Sequence, residues 1–272
     1  MEFENKELLF EFLNAPFDNG DAIFDKFKSL PNAKHSVGKA PLQRYVYIPG
    51  TRKDRVVLVA HVDTAWDKNY VNGLKLSSKR QILFDNGVFT SANAEIGLGA
   101  DDRAGCAMLW KLKDSGHSIL IVDGEEHGKH GAKYLKSSSK SLYKELNKHC
   151  FMIELDHVST NHVSFLQVHN TTKFKNYLCQ STGFVDRKIG GGCDLQILCK
   201  HICGANVGVG YYNQHRSSEK LVLEEWENTY RVIEEFLKKE QKRFKTSKSQ
   251  RLKSFTRRCV KKALRILKFK KK

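Results

Sequence analysis

Four short, almost wholly apolar runs limit what this chain can fold into: residues 55–60 (RVVLVA), 118–122 (SILIV), 150–155 (CFMIEL) and 206–210 (NVGVG). Each is too short for a buried helix and lacks the polar alternation of a half-solvated strand. That pattern predicts strands covered on both faces. Residues 42–48 alternate well enough for one more strand. Apolar residues recur at helical spacing over 103–113, 128–148 and 219–239, and again over 4–30, where Pro16 and Gly20 break the pattern. Asp85, Asn86 and Gly87 between apolar residues predict a hairpin at 80–90. Strand and helix in alternation predict an α/β fold, with a mixed, largely parallel central sheet flanked by helices on both faces.

The acids and histidines fall where such a sheet would use them. His61 and Asp63 follow the first run, and Gly124, Glu125 and Glu126 follow the second. Asp156 directly follows the third, and His215 lies five residues beyond the fourth. Open α/β sheets bind ligands in the crevice outside the carboxyl ends of their strands, so four strand ends would deliver carboxylate or imidazole to one edge. Asp101, in the glycine-rich segment 97–105 (GLGADDRAG), precedes a helix and could equally be a simple N-cap beside Asp102. Glu154 and His157 are neighbouring alternatives to Asp156, and His127 and His130 read as loop residues.

The motifs HVDT, GADDRAG, GEEHGKHGA, LDH, GGGCD and YNQHRSSE, in that order, resemble those of the co-catalytic zinc exopeptidases. These are phosphorylase-like α/β metallopeptidases that include aminopeptidases, tripeptidases and carboxypeptidase-type deacylases. The resemblance covers about residues 40–237. It implies two zinc ions, with cobalt or manganese acceptable to the same donors. By the resemblance, Asp101 bridges both metals, His61 and Asp156 complete one, and Glu126 and His215 complete the other. Glu125 is the implied general base, and Asp63 the acid that orients His61. Two such metals share one water, lower its pKa from 15.7 toward about 7 and polarise the scissile carbonyl. Cys193 stands where the family often has threonine. Only 58 residues separate Asp156 from His215, too few for an inserted lid domain. A single catalytic domain over 1–237 is therefore expected, covered by loops such as 64–100 or 157–192.

The charge is uneven. Residues 238–272 hold 17 of the 47 Lys and Arg and one acid, Glu240, whereas the other 237 residues carry 30 basic and 29 acidic side chains. From Ser254 onward an apolar face (Phe255, Val260, Leu264, Leu267) opposes a cationic one (Arg257, Lys261, Arg265, Lys268). A basic amphipathic helical tail of this kind suits an anionic membrane surface or an acidic protein. Nucleic acid is a less favoured partner, held only through phosphates. Seven scattered cysteines without a CxxC pair, and an acidic start without an apolar segment, are what a cytoplasmic protein would show. Cys199 and Cys203, four apart, are a weak metal candidate.

The function expected is hydrolysis of short peptides from an end. An N-acyl amino acid amidohydrolase using the same site is the alternative, and a non-catalytic metal-binding protein acting through its tail a third reading. Arg103, Arg216 and Asn213 are candidates for holding a substrate carboxylate.

Overall fold

The computed structural model describes residues 2–67, 81–93, 95–166, 168–188 and 191–246. The amphipathic helix expected from Ser254 onward lies outside them, as does part of the 64–100 loop.

Two helices open the chain, α1 (Glu2–Asn14) and α2 (Asp21–Lys28), followed by strands β1 (Lys34–Val37), β2 (Arg44–Ile48) and β3 (Val57–His61). The predicted hairpin is present as β4 (Ile82–Asp85) and β5 (Val88–Ser91), with Asn86 and Gly87 both at positive φ as its two-residue turn demands. Then come α3 (Ala100–Lys111), β6 (Ser118–Val122), α4 (His130–Ser138), α5 (Lys140–Leu146), β7 (Met152–His157), β8 (His162–Ser164) and α6 (Thr172–Thr182). The remainder is β9 (Val185–Asp186), α7 (Leu195–Leu198), β10 (Gly204–Gly208), β11 (Tyr211–Tyr212), β12 (Lys220–Val222) and α8 (Leu223–Lys238).

The main sheet has the order β1-β2-β6-β3-β7-β10-β8-β9. Its centre, β6-β3-β7-β10, is parallel, and β2 and β8 flank that centre antiparallel. The four central strands are the four apolar runs. Their side chains alternate between two cores, as strand geometry requires. Leu58, Ala60, Ile119, Ile121, Ile153 and Leu155 pack with residues of α1, α2, α3, α6 and α8. Val57, Val59, Leu120, Val122 and Met152 pack with residues of α4, α5 and α7. Helices therefore cover both faces, as the run pattern predicts. A second antiparallel sheet, β11-β12-β5-β4, incorporates the hairpin.

Several boundaries differ from the sequence reading. Strand β7 extends through His157, so Asp156 lies inside it and not beyond it. The run at 206–210 is paired two residues earlier, and residues 220–222, read as helix, instead form β12 against β5. The 128–148 helix is two helices broken at Ser139, and α6 was not foreseen. At 220–222 the pairing with β5 overrides local helical propensity.

Beyond α8 the backbone stays on the domain as far as Thr246. Phe244 N–H donates to Cys150 O, Cys203 N–H to Phe244 O and Thr246 N–H to His201 O. The Phe244 ring enters an aromatic cluster with Phe151, Phe174 and Tyr177. No helix among the described residues is long and apolar enough to cross a membrane. The six cysteines of the described residues are all free.

Candidate metal centre

Each residue of the centre is fixed by an element that had other reasons to form. His61 ends β3, Glu125 and Glu126 follow β6, Asp156 sits near the end of β7, and His215 follows β11. Because β6, β3 and β7 are parallel neighbours, their carboxyl ends lie side by side. Asp101 comes from the irregular first turn of α3, where Asp101 and Asp102 depart from helical φ/ψ and are joined by a cis peptide bond. The backbone turns into this segment through Gly99 at φ 71.

The side chains form two sets of three. His61, Asp101 and Asp156 present ligating atoms within 4.8 Å of one another, and so do Asp101, Glu126 and His215. Asp101 belongs to both. Its Oδ1 lies 3.3 Å from His61 Nε2 and its Oδ2 lies 3.1 Å from His215 Nε2. Asp156 Oδ1 is 3.4 Å from His61 Nε2, and Glu126 Oε1 is 2.6 Å from His215 Nε2. The structure thus separates Asp156 from its neighbours. Glu154, two residues back from Asp156 on the same face of β7, is taken up elsewhere: its carboxylate accepts the backbone N–H groups of Asp194 and Leu195. His157 pairs with His162, Nδ1 to Nε2 at 3.0 Å.

This donor set fits a metal pair. His61 Nε2 and Asp101 Oδ1 are buried without a hydrogen-bond partner, and the buried Glu126 Oε1 has His215 Nε2 beside it at 2.6 Å. Buried polar atoms seldom stay unsatisfied, and here they converge on two points. The electrostatics agree. Burial and the nearby Asp101 push Glu126 up to about 7 and Asp156 well above the carboxylate range. At His215, hydrogen bonds to the Asp101 and Glu126 carboxylates raise the pKa to about 11. Burial works against a charged His61, yet Asp156, Asp63 and Asp101 together hold it well above its ordinary value. Acids crowded this closely at low dielectric call for positive charge, and divalent cations supply it.

The surrounding residues hold the candidate ligands in place. Asp63, fully buried, accepts the N–H groups of Gly124, Glu125 and Glu126 at 2.7, 3.1 and 3.1 Å. Its Oδ1 also lies 3.2 Å from His61 Nδ1, the nitrogen facing away from the ligand set. One carboxylate therefore positions both the imidazole and the following glutamates. Glu219 does the same for the Asp101 segment, accepting Gly99 N–H at 2.6 Å and Asp101 N–H at 3.0 Å. The Tyr211 hydroxyl donates to Asp156 Oδ1 at 3.1 Å. Asn206 brackets the Asp156 backbone, accepting its N–H and donating to its carbonyl. The sequence reading assigned Asp63 its place but missed Glu219, Tyr211 and Asn206. Glu219 closes the YNQHRSSE motif, a signal that was available; Tyr211 and Asn206 carried none.

Glu125, Asp101, Glu126, Asp156 and His215 border one crevice of about 320 Å³, which Val158, Gly191 and Gly192 also line. Arg103 does not reach it. That side chain is buried behind α3, donating to Pro16 O and Asn19 O at 2.9 and 3.0 Å, so its proposed contact with substrate is withdrawn. Arg216 and Asn213 are also absent from the crevice lining, and Asn213 bonds to Ser218 O. Cys199 and Cys203 fall in neither ligand set; their thiols lie against the carbonyls of Cys203 and Lys245. His130 begins α4 and is not a loop residue.

Residues 45–182, which carry every candidate ligand but His215, match the model of peptidase family M28. The chain belongs to that family. It is a metallopeptidase, and the metal of its family is zinc. No curated protein sequence matches it. Its fold is similar to that of an aminopeptidase from Bacillus cereus, with 14% identity, a TM-score of 0.60 and a superposition over 88% of this chain and 98% of that one. A tripeptidase from Staphylococcus aureus superposes over the same shares, with 15% identity and a TM-score of 0.62. An aminopeptidase from the archaeon Desulfurococcus kamchatkensis does so over 88% and 96%, with 10% identity and a TM-score of 0.59.

Proposed function

We propose that this metallopeptidase is a two-zinc exopeptidase acting on short peptides, with Glu125 as its general base. The observation that carries the proposal is the pair of three-residue ligand sets sharing Asp101, with Glu125 beside them in one small crevice. In this reading His61, Asp101 and Asp156 hold one ion, and Asp101, Glu126 and His215 hold the other. When bound, the metal pair lowers the pKa of a water toward about 7 and polarises the scissile carbonyl. The protein supplies the rest. Asp63 fixes the 124–126 backbone, so Glu125 keeps its place relative to Glu126 and needs no reorganisation to act. Glu125 takes the proton of the attacking water and returns it to the leaving nitrogen. The crevice, about 320 Å³, has room for a substrate of a few residues but not for a folded chain. The named relatives, aminopeptidases and a tripeptidase, favour action from an end.

The test compares wild type with Glu125→Gln for metal content and for digestion of a peptide library. Two zinc ions per chain are expected in both, with turnover in the variant lower by at least about 100-fold. Fewer than one zinc per chain, or a variant as active as wild type, would overturn the reading. The residues 247–272 add 12 Lys and Arg and no acid, and we assign them to attachment at an anionic surface, outside the catalytic step.

A further inference from the structure

Within the crevice one side chain carries a charge that the reaction described above does not use. Lys129 stands four residues beyond Glu125, at φ 63 ahead of α4, and its ammonium lies 2.9 Å from Glu125 Oε1. The side chain is 15% exposed, and that opening faces the crevice. Among the described residues lining the crevice it is the one lysine or arginine, set against Asp101, Glu125, Glu126 and Asp156. Gly192 leaves it room: a Cβ there would come within 2.6 Å of the Lys129 nitrogen. An ammonium has three donors, and Glu125 occupies one.

We propose that Lys129 receives the free carboxylate of the departing amino acid, so that the substrate is an amide whose leaving group is a free α-amino acid, above all a dipeptide. The inference rests on the exopeptidase reading and on Glu125 as base. A base that returns its proton to the leaving nitrogen must lie within about 2.6–3.2 Å of that nitrogen. In a free amino acid the carboxylate carbon is two bonds further on, about 2.5 Å away. The ammonium 2.9 Å from the Glu125 oxygen therefore stands where that carboxylate arrives. In a longer peptide the same position holds a neutral amide, which gives the ammonium no charge partner. Lys129 acts here as a specificity residue beside the base: it favours an anion one residue past the scissile bond.

The experiment uses the zinc-loaded full chain with leucyl-alanine, leucyl-alaninamide and a library of longer peptides. Wild type is expected to prefer the acid over the amide by at least about tenfold in kcat/KM, mainly through KM. Lys129→Met and Lys129→Gln should bring that ratio close to one at unchanged zinc content, while Lys129→Arg should retain most of it. Equal use of acid and amide by wild type, or an unchanged ratio in both neutral variants, overturns the assignment. Cleavage of longer peptides without cleavage of the dipeptide also overturns it and leaves the exopeptidase reading standing. If no peptide of any length is cleaved, the exopeptidase reading falls and this inference with it.

Discussion

Replacing Asp63 by asparagine tests how far the centre depends on a residue outside both ligand sets. The carboxylate accepts three backbone N–H groups from residues 124–126 and faces His61 Nδ1, all in a fully buried setting. Burial disfavours its charge, but His61 and the Glu125 amide outweigh that and hold its pKa below the ordinary value. Asparagine is nearly isosteric, so no cavity forms. Its carbonyl can keep the Gly124 and Glu125 bonds, but they become neutral and weaken by about 1 kcal/mol each. Its amide nitrogen then meets the Glu126 N–H donor to donor, leaving a buried group unsatisfied at about 1–3 kcal/mol. The sum is about 3–5 kcal/mol, a large share of a typical stability of about 5–15 kcal/mol.

Urea unfolding in the presence of a chelator isolates this term, because no bound metal then contributes. Zinc binding by the chelated proteins measures the second effect. With Glu126 and His61 no longer held, affinity should fall by about 10–100-fold, and by more at the set containing Glu126. A variant within about 0.5 kcal/mol of wild type in urea, binding zinc equally well, would refute the idea that Asp63 organises the centre.

Two further outcomes follow, one from a place remote from the candidate ligands and one from the packing directly behind them. Burial holds His149 down to about 4, and the Arg55 guanidinium donates to its Nε2 at 3.1 Å, so protonation there is opposed twice over. The folded pKa lies below an unfolded value of about 6.5, so the stabilisation is complete above that pH and disappears as pH falls toward 4. His149→Gln should flatten urea-derived stability between pH 6.5 and 4.5 by about 2–3 kcal/mol, and matching wild-type and variant slopes would rule this out. Gly105 lets α3 lie against β7: a Cβ would come within 2.0 Å of Leu155 O, a backbone atom with nowhere to move. Gly105→Ala should cost about 2–3 kcal/mol and lower Tm by roughly 5–10 °C; a drop under about 2 °C would mean that the contact relaxes freely.

The sequence by itself determined the central sheet and singled out the candidate ligands. Runs such as 118–122 are apolar at all but one position because parallel central strands are buried on both faces, and burial is written in composition one residue at a time. The acids that follow those runs are equally visible, since an ionisable group at the end of a buried strand has few other reasons to be there. The tertiary structure decided what depends on partners distant in the chain. Residues 220–222 became a strand because β5 offered its edge, and Asp156 was separated from Glu154 and His157 by their partners in space: Glu154 is taken up by the Asp194 and Leu195 amides and His157 by His162, while Asp156 lies beside His61. Arg103 was removed from the site because its guanidinium found the carbonyls of Pro16 and Asn19 in a loop more than eighty residues away. Lys129 gained its place beside Glu125 from the turn ahead of α4, and Glu219 its hold on Asp101 from a separation of 118 residues. Pairings of this kind depend on distance in space, and the order of residues along a chain does not contain that distance until the sheet has brought its ends together.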